Sequence, residues 1–393
     1  MSMQGKLTLR NYRCFDWDNP AVLEFGDGFT AFVGSNNSGK STALRSIYEL
    51  RSMLQAVSNI CRPGNGFRWG CQPLGTSDIA EVANDGDPTR FQFSIELVDF
   101  ASIKPDGQWH AAEIILEYEV YSQTLSPKRV KMIDSQGNTR QLEENHIKSA
   151  DRVVSDLIIN YPGVAPVDYS AIIAFANELG QSKFFPAFRN AINEGAGSYY
   201  DIPVGTALVA TWDQWKAGSS RALKLAISRV ENEIASLLGF KSLQINADQT
   251  GKTLDVNIDG RPQKLHEVGA GVAQLIIVLA AALVNKPPYI LIDEPELSLH
   301  PALQLSFLTT LGSYATKGLL YSTHSISLAR STAQRIYAVK RIRNGSSQMH
   351  PFGDSAINFG GWLGELSYSS RVELGCIPTE GWTSAKCWLP HSN

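Results

Sequence analysis

Hydrophobic and polar positions change their period several times along the 393 residues of this chain. Near the start, and again over residues 91–98 and 114–121, apolar and polar residues alternate, which predicts half-buried antiparallel strands. A third candidate strand over residues 129–134 is followed by the turn sequence Gln136-Gly137-Asn138. The first part of the chain is therefore predicted to be a β-rich lobe rather than a strand–helix–strand repeat.

Helical periodicity appears in two regions, one in the first part of the chain and one in the middle. A helix is predicted over residues 43–59, after which the glycine- and proline-rich residues 62–78 are expected to form a loop. Apolar residues spaced three and four apart between residues 171 and 238 predict further helices, whose apolar stripes are interpreted as core packing. Residues 243–258 return to strand character.

Helices and strands then alternate. The pattern predicts helices over residues 271–284, 301–311 and 326–333, and strands over residues 289–292, 319–322 and 336–339. This order is typical of a parallel sheet that is buried on both faces. Residues 344–393 are rich in glycine and serine and have weak periodicity, so no fold is predicted for this tail.

Composition and charge narrow the classes of protein. With 43% hydrophobic and 19% charged residues, the chain is expected to be globular with a sizeable core. The net charge of −3 gives no general basic field, so contact with nucleic acid would need a local patch or a partner. The apolar stretch 272–284 is too short to span a bilayer, and residues 1–10 lack an apolar core and a cleavage site, so no secretory signal is expected. Five cysteines without a C-x-x-C pair favour reduced thiols and a cytoplasmic location.

Residues 34–42 read GSNNSGKST and follow the apolar run 29–33, which matches the phosphate-binding pattern G-x-x-x-x-G-K-[ST]. The N–H groups of such a loop turn toward phosphate oxygens, Lys40 can reach the β and γ phosphates, and Ser41 can ligate Mg²⁺. Asparagine is the non-glycine residue that best tolerates a left-handed backbone, so Asn37 suits the loop. An ordinary glycine turn is the competing interpretation. The residues predicted to bind the nucleotide here are Gly34, Asn36, Asn37, Ser38, Gly39, Lys40, Ser41 and Thr42.

A second motif follows the predicted strand 289–292, where a buried run ends in Asp293 and Glu294. This is a Walker B pattern, in which Asp293 can bind the Mg²⁺ shell and Glu294 can act on the attacking water. An acidic turn helped by Pro295 is the alternative. The phosphate loop upstream favours the Walker B interpretation.

Two further segments are candidates for phosphate contacts. His324 follows the predicted strand 319–322, where one ring nitrogen can reach the γ phosphate; capping of the next helix is the alternative. Gly269, Ala270 and Gly271 open the most apolar helix, and glycines at a helix N-terminus let a foreign phosphate approach the main-chain amides. A glycine-rich helix cap would explain the same residues.

Taken in chain order, GSNNSGKST, the GAG-x-x-Q helix start, YILIDEPELSLHP and STHS resemble an ABC-type ATPase of the SMC-like branch. The chain is most similar to the ATPase domain of the overcoming-lysogenization-defect (OLD) family, to which segments 9–15 and 184–189 are also similar. The resemblance implies an α/β fold: an ABC-type ATPase head with a mixed β lobe, a parallel-sheet P-loop core and a helical insertion. The expected organisation is a discontinuous head over residues 1–343 and a tail over 344–393. Within the head, the phosphate loop and β-rich lobe occupy 1–165, the insertion 166–242, and the signature, Walker B and switch-histidine lobe 243–343.

The resemblance also implies how the site is assembled. ATP and Mg²⁺ would be sandwiched between two copies of the chain, as a homodimer or higher oligomer, with residues 269–274 of one copy facing the phosphate loop of the other. Asp293 would bind Mg²⁺, Glu294 would be the general base, and His324 the switch histidine, while residues 296–301 would cross the interface. Arg13 is added to the expected ATP contacts and Gln72 to the expected Mg²⁺ ligands. The signature lacks the serine usual in transporter ATPases, so its contact with the γ phosphate would rest on main-chain amides.

OLD proteins also carry a C-terminal Toprim nuclease, which needs a glutamate and a later D-x-D pair. Glu380-Gly381 is similar to the opening of such a module, but no D-x-D follows. Cys376, Cys387 and His391 match no known zinc spacing. The expectation is a chain without a nuclease of its own, or a shortened form of a protein that had one.

The leading hypothesis is an ATPase whose ATP-dependent dimerisation controls a separate effector, a nuclease or toxin, in bacterial anti-phage defence. The alternative is an SMC-like ATPase of DNA repair or DNA-end binding, with DNA as a partner. A membrane-transporter ATPase is disfavoured by the unusual signature and by the long segment between Lys40 and Gly269, so no membrane partner is expected. A scaffold that does not hydrolyse ATP would be excluded by measurable turnover.

Overall fold

The alternating and helical patterns of the sequence correspond to strands and helices in the structure. The structure is a computed structural model, and it describes residues 4–60, 68–98, 108–150, 152–155, 157–187, 197–250, 252–342 and 345–352. The strands are β1 (Gly5–Arg10), β2 (Ala21–Phe25), β3 (Gly28–Val33), β4 (Trp69–Gly70), β5 (Arg90–Leu97), β6 (Trp109–Glu119), β7 (Thr124–Ile133), β8 (Thr139–Glu143), β9 (Arg152–Ser155), β10 (Ile158–Tyr161), β11 (Val164–Asp168), β12 (Lys183–Phe185), β13 (Ser198–Tyr199), β14 (Ile202–Pro203), β15 (Leu243–Asp248), β16 (Thr253–Ile258), β17 (Arg261–Lys264), β18 (Tyr289–Ile292), β19 (Gly318–Thr323), β20 (Arg335–Arg341) and β21 (Ser347–Pro351). The helices are α1 (Lys40–Glu49), α2 (Arg51–Ile60), α3 (Glu144–Lys148), α4 (Ser170–Gln181), α5 (Gly205–Lys216), α6 (Arg221–Leu238), α7 (Ala270–Asn285), α8 (Pro301–Gly312) and α9 (Ile326–Thr332).

The first of two compact units comprises Met1–Asp27, Arg45–Lys183 and Lys340–Met349. Its ten-stranded sheet runs in the order β2-β1-β5-β6-β11-β10-β9, and β7 pairs with β6 as well as with β4 and β8. The pairs β1–β2, β1–β5, β5–β6 and β6–β7 are antiparallel, whereas β11 pairs with β6 in parallel. Alternate residues of β5 are buried, because every second side chain of a strand faces the same side of the sheet. The predicted β-rich lobe is confirmed.

The second unit comprises Gly28–Leu44, Phe184–Val339 and His350–Asn393. Its six-stranded sheet has the order β12-β18-β19-β3-β20-β21, and β18, β19, β3 and β20 run parallel to one another. Strands β18 and β19 are buried at every position, which explains their continuous apolar runs. Helix α7 is buried along almost its whole length against this unit's core. The predicted α/β class and parallel-sheet core are confirmed.

The structure differs from the predicted elements in several places. The helix predicted over residues 43–59 is two helices, α1 and α2, joined directly at Leu50. The Leu50 N–H donates to Ser46 O (2.8 Å) and Leu50 O accepts from Leu54 N (2.8 Å), so hydrogen bonding continues across the junction. Strands β12 to β14 interrupt the region 171–238, because strands of two or three residues are too short to show alternation. In the region 166–242, α4 belongs to the first unit, and α5 and α6 belong to the second.

Part of the predicted tail has a fold. Strand β21 lies at the edge of the six-stranded sheet, where main-chain hydrogen bonds rather than a side-chain pattern determine the pairing. Arg189, Glu380, Cys376, Cys387 and His391 lie outside the described residues. Among the helices that the structure describes, none combines the length and the apolar character needed to cross a membrane.

Candidate nucleotide site

Three neighbouring parallel strands of the second unit end next to the predicted motifs. The register pairs Val33 at the end of β3 with Thr323 at the end of β19, and Ile292 at the end of β18 with Tyr321. The phosphate loop, the Asp293-Glu294 pair and His324 each continue from one of these ends. Parallel strands present their carboxyl ends at one edge of a sheet, where α/β proteins bind ligands. The register therefore brings the three motifs together.

The phosphate loop has the backbone that its sequence predicts. Asn37 has φ +59° and Gly39 has φ +105°, so both are in the left-handed region, and the suitability of Asn37 is confirmed. A Cβ on Gly34 would lie 2.2 Å from Val339 O, so no larger residue fits there. The buried hydroxyl of Ser38 has no hydrogen-bond partner among the described residues.

Lys40 is the first residue of α1 and is buried inside the loop, with only 3% of its surface exposed. Its ammonium donates to the carbonyl oxygens of Gly34 (3.0 Å) and Ser35 (2.9 Å). Burial lowers the pKa of Lys40 to about 8, although the nearby Glu294 and Asp293 carboxylates act in the opposite direction. The loop thus holds a cation beside its own backbone.

Ser41 and Asp293, the two predicted Mg²⁺ ligands in this unit, are in direct contact. The Ser41 hydroxyl donates to Asp293 Oδ1 over 2.8 Å, and the Ser322 hydroxyl donates to the same oxygen. Burial raises the pKa of Asp293, and hydrogen bonds from Ser322 and Ser41 oppose this rise. A carboxylate and a hydroxyl oxygen are hard donors of the kind that Mg²⁺ prefers.

Glu294 and His324 form the second pair of the site. His324 Nε2 lies 3.1 Å from Glu294 Oε1 and 3.4 Å from Lys40 Nζ. Glu294 has φ +46°, which is uncommon for a residue with a side chain, and its N–H donates to Ser322 Oγ over 3.0 Å. Residues with such strained backbones are found often at functional sites.

The predicted signature residues begin helix α7. Gly269 and Ala270 are exposed, and Gly271 is partly buried. A Cβ on Gly271 would lie 2.4 Å from Ser298 O, whereas a Cβ on Gly269 would contact nothing within 4 Å. Further along α7, Gln274 Nε2 donates to Pro295 O over 3.4 Å. Because Gly271 has no Cβ, the start of α7 can lie close to the main-chain oxygen of Ser298 in the same chain.

With this geometry established, comparison with known proteins identifies the family. A family profile described as "AAA domain, putative AbiEii toxin, Type IV TA system" matches residues 29–330. The chain belongs to this AAA-domain family. The family is one of P-loop ATPases, which agrees with the loop and the Walker B residues described above.

More distant similarities accompany this AAA-domain family. The peptidoglycan transport ATP-binding protein YejF of Agrobacterium fabrum is 27% identical over 118 residues, covering 27% of this chain and 21% of that protein. The chain thus spans about a fifth of the length of this curated relative. An SMC head bound to the C-winged helix domain of ScpA is 14% identical, with a TM-score of 0.48 over 89% of this chain and 97% of that chain. The SMC head domain from Thermotoga maritima is 16% identical, with a TM-score of 0.40 over 90% and 100% of the two chains.

The residues of the AAA-domain site fit a complex of ATP and Mg²⁺. The loop supplies main-chain N–H groups, the Lys40 ammonium and the buried hydroxyl of Ser38, to which no described residue is hydrogen-bonded, and these groups suit phosphate oxygens. Ser41 and Asp293 supply oxygen donors for Mg²⁺. In the part of the chain that the structure describes, no group of three or more histidine, cysteine, aspartate or glutamate side chains is placed to hold a metal ion.

Two predicted ligands of the AAA-domain protein lie in the first unit. Arg13 makes a bidentate contact with Glu49, through Nε to Oε2 (2.9 Å) and NH2 to Oε1 (2.7 Å). Gln72 is exposed and donates through its amide to Gln123 Oε1 (2.5 Å). The assignment of Arg13 to ATP and of Gln72 to Mg²⁺ therefore stays a prediction.

Ser322 contributes to the site without having been predicted. It bonds both Asp293 and the Glu294 main chain, and so joins the ends of β18 and β19. A sequence signal exists, because Ser322 is a polar residue in the buried strand GLLYST. Buried polar side chains are usually hydrogen-bonded, so such a residue indicates a partner.

Proposed function

We propose that this protein binds and hydrolyses ATP with Mg²⁺, using the site at the carboxyl ends of β3, β18 and β19. The observation that supports this proposal is the contact among Glu294, His324 and Lys40. His324 Nε2 lies 3.1 Å from the Glu294 carboxylate and 3.4 Å from the Lys40 ammonium. These groups supply a proton acceptor and two phosphate-binding groups.

Each residue has a proposed role that follows from its chemistry. Lys40 and the loop N–H groups bind the phosphates, and Ser41 and Asp293 hold Mg²⁺. When bound, Mg²⁺ neutralises charge on the phosphate oxygens. Glu294 accepts the proton of the attacking water, and His324 orients that water through its contact with Glu294 Oε1.

We also propose that two copies of the chain complete the site, giving a homodimer or higher oligomer. Gly269 and Ala270 are exposed at the N-terminus of the 16-residue helix α7, where main-chain N–H groups are available for phosphate. The resemblance to ABC-type ATPases supports this assembly. We further place the protein in the cytoplasm, where ATP is abundant and where the free thiols of Cys14 and Cys71 remain reduced.

The biological role that we propose is control of a separate effector, a nuclease or toxin, in bacterial anti-phage defence, as a member of the OLD-like ATPases. The description of the matched family includes a putative toxin and a Type IV TA system, which is in line with this role. An SMC-like ATPase that binds DNA is the competing function, and a fall in affinity for duplex DNA with rising salt would support it.

The test is phosphate release by the purified protein with ATP and Mg²⁺, combined with light scattering to measure its mass. The wild type should release phosphate, and Glu294→Gln should accumulate as an ATP-bound dimer because it binds ATP without turning it over. Glu143→Gln, which changes an exposed carboxylate on β8, is the control. A Glu294→Gln protein that stays monomeric with ATP would contradict the two-copy site, and a wild type without turnover would contradict hydrolysis.

A further inference from the structure

The loop that follows Glu294 carries a second acidic side chain with unusual contacts. Glu296 Oε1 accepts two hydrogen bonds, from Thr323 Oγ1 (2.6 Å) and from the main-chain N–H of His324 (3.0 Å). Its other oxygen, Oε2, is buried and has no hydrogen-bond partner among the described residues. Glu296 thus directs its polar contacts at the segment that carries the predicted switch histidine.

The hydroxyl of Thr323 extends this contact. Its oxygen also accepts a hydrogen bond from the Ser325 N–H (2.9 Å), and Ser325 Oγ caps helix α9 by accepting from Leu328 N (3.1 Å). The main chain of residues 323–325 is therefore held from both sides, by α9 and by Glu296. A main chain that is fixed in this way restricts the directions that the His324 ring can take.

The contacts form a closed circuit around the reacting groups. Glu294 contacts the His324 ring, the His324 main chain contacts Glu296, and Glu296 lies two residues after Glu294 in the chain. Because Glu296 holds the His324 main chain, the ring reaches Glu294 from a fixed attachment point, and a shift of that main chain would carry the ring away from Glu294. The backbone of Glu294 is itself constrained, because this residue has φ +46° and its N–H donates to Ser322.

We propose that Glu296 is a positioning residue for ATP hydrolysis: through the Thr323 hydroxyl and the His324 main chain, it holds the His324 ring against the Glu294 carboxylate. This inference rests on the proposed ATPase function. It assigns to Glu296 a role within one copy of the chain, in addition to any contact that residues 296–301 make with a second copy.

The two oxygens of Glu296 allow a sharp comparison of variants. Glu296→Gln keeps Oε1 as an acceptor for both donors but places an amide where the unpaired Oε2 lies, so its buried N–H groups would lack acceptors. We expect a lower melting temperature for this variant, with kcat within about fivefold of the wild type. Glu296→Ala removes the acceptor, and its kcat should fall about 10–100-fold while the affinity for ATP changes by less than about threefold.

A milder variant serves if Glu296→Ala fails to fold. Thr323→Val keeps the shape of the side chain but removes both the donor to Glu296 and the acceptor of the Ser325 N–H, so kcat should fall about 3–10-fold. Thr309→Val is the matched control, because it removes a hydroxyl from the exposed face of α8 that donates to the Leu305 carbonyl one turn earlier in the same helix. It should leave kcat unchanged.

The decisive measurement is a double-mutant cycle with His324→Ala. If Glu296 acts through His324, then Glu296→Ala should change kcat by less than about twofold in the His324→Ala background. If Glu296→Ala lowers kcat equally in the wild type and in His324→Ala, the proposal is overturned. It is also overturned if kcat falls in proportion to the loss of stability in both Glu296→Gln and Glu296→Ala.

A second readout does not depend on turnover and separates this inference from the proposed function. The seven histidines of the chain can be labelled with ¹³C for NMR, and the His324 ring signal assigned from its absence in His324→Ala. Glu296→Ala should shift or broaden that signal, whereas Glu296→Gln and Thr309→Val should leave it in place. An unchanged signal in Glu296→Ala would overturn the positioning role even in a protein that hydrolyses ATP, and a shifted signal would support that role even in one that does not.

Discussion

His324 Nε2 lies 3.1 Å from Glu294 Oε1, although the two residues are 30 positions apart in the chain. The contact exists because β18 and β19 are parallel neighbours, and each residue follows the end of its strand. The imidazole also lies 3.4 Å from Lys40 Nζ, so it is placed between a carboxylate and an ammonium group. This arrangement makes the role of His324 directly testable.

Replacing His324 should slow hydrolysis without preventing nucleotide binding. In His324→Asn, the contact with Glu294 is lost while the phosphate loop is intact, so kcat should fall by about 10²-fold and the affinity for ATP should change little. Phosphate release and titration with a fluorescent ATP analogue measure the two quantities. His146→Asn, at an exposed position of α3, is the control. A His324→Asn protein with the kcat of the wild type would exclude a catalytic role for the ring.

Two glycines of the signature segment should respond differently to the same substitution. Gly271→Ala places a Cβ 2.4 Å from Ser298 O, and the required shift should cost about 1–3 kcal/mol of stability. Gly269→Ala meets nothing within 4 Å and has φ −58°, so its stability should stay within about 0.5 kcal/mol of the wild type. Urea unfolding followed by circular dichroism measures both. If the two variants lose the same free energy of unfolding, the closeness of Ser298 is not the reason that position 271 needs a glycine.

The carboxylate of Glu49 should be important for the stability of the first unit. It is 1% exposed and contacts Arg13 (2.7 Å), Arg45 (2.9 Å) and the hydroxyl of Tyr12. Glu49→Ala leaves two guanidinium groups without this carboxylate, which should destabilise the protein by about 3 kcal/mol or more.

A surface ion pair provides the comparison for Glu49. Glu24 pairs with Lys6 over 2.9 Å, but both side chains are about one third exposed. Glu24→Ala should therefore cost less than about 1 kcal/mol. The two variants are compared by urea unfolding at the same salt concentration. If Glu49→Ala and Glu24→Ala lose similar free energies of unfolding, burial is not what makes the Glu49 ion pairs important for stability.

A pair of like charges across two strands predicts a pH dependence. Glu113 on β6 lies directly opposite Glu96 on β5, and burial, followed by the charge of Glu96, raises the pKa of Glu113. An acid whose pKa is raised by folding holds its proton longer in the folded state, so it reduces stability as the pH rises through and above its unfolded pKa. Below that pKa the penalty disappears.

Glu113→Gln should consequently stabilise the protein at about pH 7 and have a smaller effect at about pH 4. The gain should be below about 1 kcal/mol, because water screens this partly exposed carboxylate. Glu143→Gln is the control, since Glu143 lies opposite Arg129 and forms an ion pair with it over 3.1 Å. Unfolding curves at the two pH values measure the difference. An equal gain at both pH values would show that ionisation of Glu113 in the folded protein carries no penalty.

Local patterns predicted much of the fold because their cause is local. Strand β18 has the predicted bounds, and helices α7, α8 and α9 begin and end within one residue of those predicted. Buried parallel strands and the helices between them have strong and distinct periodicities. Short strands such as β12 and β17 were not predicted, because they depend on main-chain pairing with a neighbour rather than on a pattern of their own.

In the candidate site, too, some residues could be predicted from the local sequence and others depend on distant partners. Lys40, Ser41, Asp293, Glu294 and His324 could be chosen from the sequence, since each follows a predicted strand with the chemistry that phosphate and Mg²⁺ require. Ser322 and the buried contacts of Glu296 could not, because a residue type does not state which distant atom will be its partner. For the same reason, the bidentate contact of Arg13 with Glu49 could not be predicted from the sequence.

The sequence by itself determined that this chain carries a phosphate loop, a Walker B pair and a histidine on successive strand ends, because these motifs are read from neighbouring residues. Only the tertiary structure decided that His324 lies against Glu294, that Glu296 holds the His324 main chain, and that Gly271 approaches Ser298. The physical reason is that such contacts join segments that are not neighbours in the chain. The two contacts of His324 depend on the register of the parallel strands β18 and β19, and the approach of Gly271 to Ser298 depends on how the start of α7 packs against the loop after β18.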